Sequence, residues 1–323
     1  MTAPPLEVLA MCLFLPAIPV YLVLLVSIHR AIRKPDNHHR FLSFYWLILS
    51  CGLADIWYLL HFYSLTRFTK WAWLPVDLGG DWLARLSLIG NHYLRHSQCL
   101  GVLLMAVNRL NAVVYPATYH WRWSPTNTRR WVLLVQWMLP LVLVSPMPVF
   151  CKIRAHRIVN RTLIDRIEDP RRCAAPSFVI ATVVQTLVVT GLVVIYGRIL
   201  LFVRKQARSV AAAKTESKAK QDAKKQQQLA KSAAAIAASL VLSAACNASI
   251  PVAFKHIESN RHIFRVVQAV ITALFSVINP FVLICFSVSI RRHFVRTLKM
   301  LVGKEVGSVG PDQTLTRKKS NKY

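Results

Sequence analysis

Seven times along the chain an apolar run is set off by polar, mostly basic stretches: residues 6–28, 41–63, 83–114, 131–150, 177–203, 233–254 and 266–290. A bilayer with a hydrocarbon core of roughly 30 Å asks for about 20 such residues in one helix. The pattern therefore predicts an all-α membrane protein, a seven-transmembrane helix bundle. The third run is long enough to tilt or to protrude. Connections are short except after the fourth and fifth runs, which leaves no room for a separate soluble domain. Residues 1–303 read as one membrane domain and 304–323 as a flexible cytoplasmic tail.

Composition agrees: 54% of the 323 residues are hydrophobic, 17% are charged and the mean hydropathy is +0.40. A net charge of +28 would suggest nucleic acid in a soluble protein, but here the positive-inside rule explains it and no nucleic-acid partner is expected. Lys and Arg gather after the first run (Arg30, Arg33, Lys34, Arg40), the third (Arg122, Arg129, Arg130), the fifth and the seventh. This bias puts the N-terminus outside and the C-terminus in the cytoplasm. The basic loop after the fourth run pulls the other way without reversing the balance. The first residues, MTAPP, carry no basic charge, so the first span is expected to act as its own insertion signal. Cys12, Cys51, Cys99, Cys246 and Cys285 lie in apolar runs and read as small core residues. Cys151 and Cys173 flank the loop after the fourth run, on the side expected outside, and are a candidate disulfide. Asn160-Arg161-Thr162 in the same loop is an N-glycosylation triplet. Asn247-Ala248-Ser249 falls inside the sixth run and is expected to stay unmodified.

An ionised side chain at mid-span costs about 2.5–3.5 kcal/mol on insertion scales, so each one asks for a partner or a task. Of the 13 acidic residues, only Glu7 and Asp55 lie in apolar runs, and Glu7 is near a mouth. Asp55 reads either as a carboxyl that locks helices together or as a switch, ion or proton site. In the third run, a turn of about 100° per residue aligns Asn91, Arg95 and Gln98 with Val102, Met105 and Arg109. That face is polar in its outer half, apolar in its middle and ends in an arginine, so it must look into the protein. His92 flanks it, while His96 points away and packs on another helix. Asn91, His92, Arg95 and Gln98 read equally as a ligand pocket or as inter-helix glue. In the seventh run Pro280, after Asn279, leaves the Ser276 carbonyl without its helical donor and bends the helix.

Asn108-Arg109-Leu110, followed by Ala112, Val113 and Pro116, resembles the D-R-Y-x-A-[IV]-x-x-P box of rhodopsin-like G-protein-coupled receptors. Leu53-Ala54-Asp55, Trp137 with Pro140, and Asn279-Pro280 resemble that family's second-, fourth- and seventh-helix motifs. The stretch NRLNAVVYPATYHWRW is closer still to nematode serpentine chemoreceptors of the Srg and Srv group. The resemblance implies that Asn108, Arg109, Asp55, Asn279 and Pro280 form the switch and the G-protein coupling site. It also implies an extracellular small-molecule or peptide ligand, a heterotrimeric G protein, and residence in the plasma membrane, for a chemosensory member in a sensory cilium. Several positions depart from the pattern. Asn108 replaces an acid, which implies raised basal activity; Leu283 replaces a tyrosine; CNASIP (246–251) lacks the usual tryptophan; and no cysteine stands near Ala84. Gln98 takes the place of a small hydroxyl residue that helps hold sodium near the mid-span acid, which argues against a metal here.

Between Arg204 and Lys231 nine basic side chains face two acidic ones, Glu216 and Asp222. This Ala/Lys/Gln-rich stretch extends spans five and six toward anionic membrane lipids or a G protein. RRHFVRTLKMLVGK reads as a short interfacial helix after the seventh span. Thr314, Thr316 and Ser320 are phosphorylation candidates. The alternatives are a transporter, which asks for internal repeats, and a seven-helix ligand-gated channel, which asks for the opposite sidedness. No HExxH pair, aspartyl dyad or partnered serine nucleophile is present, so neither an enzyme nor a cofactor is expected.

Overall fold

The computed structural model describes residues 11–12, 16–33, 39–67, 80–150, 153–158, 162–167, 170–211 and parts of 270–302. In chain order these form α1 (Ala17–Arg33), α2 (His39–His61) running into a π-helical turn, α3 (Gly80–Val114), α4 (Pro116–Arg122), α5 (Pro125–Trp131), a π-helical stretch (Val132–Met138), α6 (Leu139–Val144), α7 (Met147–Phe150), strands β1 (Ile153–Ile158) and β2 (Thr162–Ile167), α8 (Pro170–Ala211) and α9 (Val288–Leu301). Four helical segments are long and apolar enough to cross a membrane: Leu42–Leu65, Arg85–Val114, Pro125–Val149 and Val179–Lys205. They are the second to fifth runs. The 17 residues of α1 cover the second half of the first run, continue past its end and rise about 25 Å. Ser276–Cys285 belongs to the seventh run, and the chain then turns by 99° into Ile290–Leu301, the interfacial helix expected there. The sixth run, the 212–231 part of the basic loop and the tail lie outside the described residues.

The all-α expectation gains one exception. After the fourth span β1 and β2 pair antiparallel, with Ile153 opposite Ile167 and Ile158 opposite Thr162, and β1 packs against α3. Elsewhere the helices follow local rules. Pro140 removes a backbone donor, and the fourth span widens into its π stretch just before it. Ser124 caps α5 by accepting from the Asn127 N–H at 3.3 Å. Both α4 and α5 begin with proline, where its missing N–H costs nothing.

Helices α2, α3 and α8 form the heart of the bundle, with Leu47, Ile48, Leu100, Val102, Ala106 and Leu192 almost wholly buried. The fourth span and α8 expose apolar rows such as Leu133, Leu141, Val142, Leu187 and Val193, as lipid-facing helices must. Where α2, α3 and the fourth span meet, a methyl on Gly101 would sit 2.7 Å from Cys51 Sγ and 2.9 Å from Gln136 Nε2, whereas Gly197 has open space around it. Gly101→Val is thus expected to cost about 1–3 kcal/mol by overpacking, while Gly197→Val leaves the melting temperature unchanged. Thermal unfolding of the two variants checks this.

Candidate functional site

Asp55 sits at mid-span, 2% exposed, and three other elements converge on it. From α3 the Gln98 amide donates to Asp55 Oδ1 at 2.7 Å and to Ser276 Oγ at 2.8 Å. From α1 the Tyr21 hydroxyl lies 2.5 Å from Asp55 Oδ2 and 2.5 Å from the Ser276 carbonyl oxygen. That carbonyl is the one Pro280 deprives of its helical donor, and the phenol supplies the missing hydrogen bond. Tyr21, Asp55, Gln98 and Ser276 therefore tie the first, second, third and seventh segments into one buried lock. Gln98, read equally as a pocket residue or as inter-helix glue, uses both amide hydrogens in the lock. Asn279, expected in the same switch as Asp55, lies outside the described residues; Pro280 is buried.

At the far end of α3, Arg109 is directed across the bundle. Its guanidinium is hydrogen-bonded to the Tyr196 hydroxyl on α8 and stands over the Phe44 ring, 5.0 Å from its centroid. Such a cation–π contact is worth more when desolvated. Asn108 turns the other way. Its Nδ2 donates to the Tyr119 hydroxyl at 3.3 Å, which latches α4 to the box, and Ser43 Oγ donates to the Trp123 carbonyl beside it. Burial pushes the Tyr119 phenol above its usual pKa, against the pull of its hydrogen bonds with Asn108 and Ser43, so it stays protonated. Around this end Trp121 is 77% exposed and Arg129 lies 4.9 Å above the Trp46 ring, the mix of aromatic and basic groups found at a membrane interface.

Toward the other end of α3, Asn91, His92 and Arg95 are half-buried. His96 is 1% exposed, with its ring 6.2 Å from that of His92. Deeper in, Tyr93 donates to the Trp137 carbonyl at 3.3 Å, Trp137 Nε1 to Ser50 Oγ at 3.0 Å, and Ser50 to Gln136 Oε1 at 2.9 Å. This chain gives the fourth-span tryptophan a packing role. His96 Nδ1, Ser97 Oγ and, on α8, Thr182 Oγ1 are buried with no hydrogen-bond partner among the described residues. The Arg109 bond to Tyr196 and the packing of Gly191 on Leu103 fix the register of α8 on α3. That register brings Thr182 within about a turn of His96 in depth. Buried polar atoms in native proteins normally find a partner, so this region can accept one. Cys151, Cys173 (its side chain) and Asn160 lie outside the described residues.

Tyr21, Tyr119, Tyr196 and Ser276 are absent from the sequence-based candidates. The orphaned Ser276 carbonyl was the one available signal, since it called for a hydroxyl from another span. Tyr119 and Tyr196 gave none.

A membrane helix bundle with a polar lock at mid-span and an inward arginine ending one helix is the build of a serpentine receptor. The chain belongs to the Srv family of serpentine type seven-transmembrane GPCR chemoreceptors, whose family model matches residues 10–300. It is also similar to serpentine receptor class V-1 of Caenorhabditis elegans, 29% identical over 104 residues, which is 32% of this chain and 34% of that one. The chain thus matches about a third of that relative's length. The family is one of receptors and not of enzymes, and its members are multi-pass membrane proteins.

Proposed function

We propose that the chain sits in the plasma membrane with its N-terminus outside, as in a sensory cilium, binds a small extracellular molecule within the bundle and activates a heterotrimeric G protein through Arg109. The observation that carries this reading is that one helix, α3, holds both ends of the device. Orphaned polar atoms and the half-buried Asn91, His92 and Arg95 stand at one end, and Arg109, bridged to Tyr196, stands at the other. Between them lies the Asp55 lock, which joins α3 to the first, second and seventh segments. A ligand that favours one arrangement of these helices shifts the population toward it, and the Arg109 end follows.

Sidedness is tested with an epitope tag near Lys220, stained in intact and permeabilised cells. Staining only after permeabilisation is expected, and staining of sealed cells would put Arg109 on the wrong side for a G protein. Agonists are then sought with a G-protein dissociation reporter. Arg95 supplies a charged donor to the pocket, so Arg95→Gln is expected to weaken agonist potency about tenfold, the order expected for a hydrogen bond to a charged group. Unchanged potency for every agonist at equal surface expression would remove Arg95 from the pocket.

A further inference from the structure

In the rhodopsin-like receptors that the chain resembles a sodium ion sits beside the mid-span acid, and the residues present here do not fit one. We propose that the amide of Gln98 takes the cation's place at Asp55, so that the lock joining the first, second, third and seventh segments closes without sodium.

A hard cation of this kind is held by several oxygens, as calcium is at about 2.3–2.6 Å. Here both carboxylate oxygens are already engaged by protein donors. Oδ1 receives an amide hydrogen of Gln98 at 2.7 Å, and Oδ2 meets the Tyr21 hydroxyl at 2.5 Å. With one phenolic proton for two acceptors, that contact is either three-centred or completed by a proton on the carboxyl; in both cases Oδ2 is occupied. The Ser276 hydroxyl, an obvious further ligand, accepts the second amide hydrogen at 2.8 Å. An ion bridging Asp55 and Gln98 would hold the two groups at least about 1.4 times the ion–oxygen distance apart, roughly 3.3 Å or more, and the 2.7 Å contact leaves no such gap. Turning the amide over would set two acceptor oxygens 2.7 Å apart, which repel without a positive charge between them. The nitrogen therefore faces Oδ1 when the carboxyl is ionised, and with the carboxyl protonated a proton, not an ion, fills the contact. Gln98 Oε1 is buried with no hydrogen-bond partner among the described residues, a cost this arrangement accepts in a residue only 1% exposed.

The consequence concerns regulation. A bound ion comes and goes with its concentration, whereas an amide fixed to α3 does not. The resting arrangement of this receptor is thus independent of the sodium gradient across its membrane. No ligand and no G protein enters the argument or its test, so the outcome is separable from the receptor reading above.

The test is thermal unfolding of the purified full chain in lipid nanodiscs, followed by tryptophan fluorescence, in sodium, potassium and choline chloride at equal ionic strength. The wild type is expected to unfold at one temperature in all three. Gln98→Ser, which withdraws the amide and leaves a hydroxyl, is expected to gain a saturable, sodium-specific rise of a few degrees. Adding Asp55→Asn is expected to abolish that rise. A sodium-specific rise in the wild type would overturn the proposal, and so would its absence in folded Gln98→Ser. Should Gln98→Ser fail to purify as a monodisperse protein, sodium NMR line widths with wild type and Asp55→Asn decide. Equal widths support the proposal, and broadening seen only with the wild type refutes it.

Discussion

Arg109→Ala is expected to reduce G-protein activation at saturating agonist by about tenfold or more, at unchanged surface expression. Coupling between sites in allosteric proteins is commonly worth about 1–3 kcal/mol, or 5–150-fold, and in the proposed mechanism Arg109 is where that coupling leaves the bundle. Its neighbour Asn108 is uncharged and turned toward Tyr119, so this box holds no carboxylate beside the arginine. Tyr196 and the Phe44 ring hold it instead, which directs the guanidinium toward α8 and across the bundle. Arg109→Lys keeps the charge but loses the planar fork that can bond Tyr196 and stack on Phe44 together, so it is expected to retain only part of the activity. Tyr196→Phe removes one hydrogen bond, and its loss should be smaller than that of Arg109→Ala. Responses measured with a G-protein dissociation reporter, normalised to surface expression, check all three. Wild-type signalling by Arg109→Ala would end the coupling assignment.

The single positions were legible in the sequence and their partners were not. Asp55 and Arg109 stand out because an ionisable group in an apolar run is costly wherever it pairs, and that cost can be read from a few neighbouring residues. The face linking Asn91, Arg95, Gln98 and Arg109 follows from helical period alone. What Gln98 faces is another matter. Its partners are 43 and 178 residues away, and periodicity within one helix says nothing about the rotation of its neighbours. Tyr21 is hidden for the same reason, since a tyrosine in an apolar run is unremarkable until Ser276, 255 residues later, is seen to need its hydroxyl. The hairpin escaped notice because a basic loop reads as a solvated surface. Its isoleucines at 153, 158, 164 and 167, with Asn160 between the two groups, were the available sign of paired strands.

Asp55→Ala is expected to destabilise the fold by about 2–3 kcal/mol, the upper part of the range for a buried polar group left unpaired. It strands one Gln98 amide hydrogen, while the other still reaches Ser276 Oγ and the Tyr21 phenol keeps the Ser276 carbonyl. Asp55→Asn is the discriminating control. An asparagine Oδ1 still accepts from Gln98, and its Nδ2 donates to the Tyr21 oxygen, which in turn donates to the Ser276 carbonyl. Every group stays satisfied, and the cost is expected to stay within about 1 kcal/mol. Tyr21→Phe falls between the two, because it returns the Ser276 carbonyl to the orphaned state that Pro280 imposes. Since Tyr21→Phe and Asp55→Ala break the same bond, their double variant is expected to lose less than the sum of the singles. Thermal unfolding of the four proteins gives these differences directly. If Asp55→Ala unfolded within about 1 kcal/mol of wild type, the cluster would carry no structural weight. If Asp55→Asn fell as far as Asp55→Ala, charge rather than hydrogen-bond geometry would be what holds the segments together. Any movement of the seventh segment away from α1 must break the Tyr21–Ser276 contact.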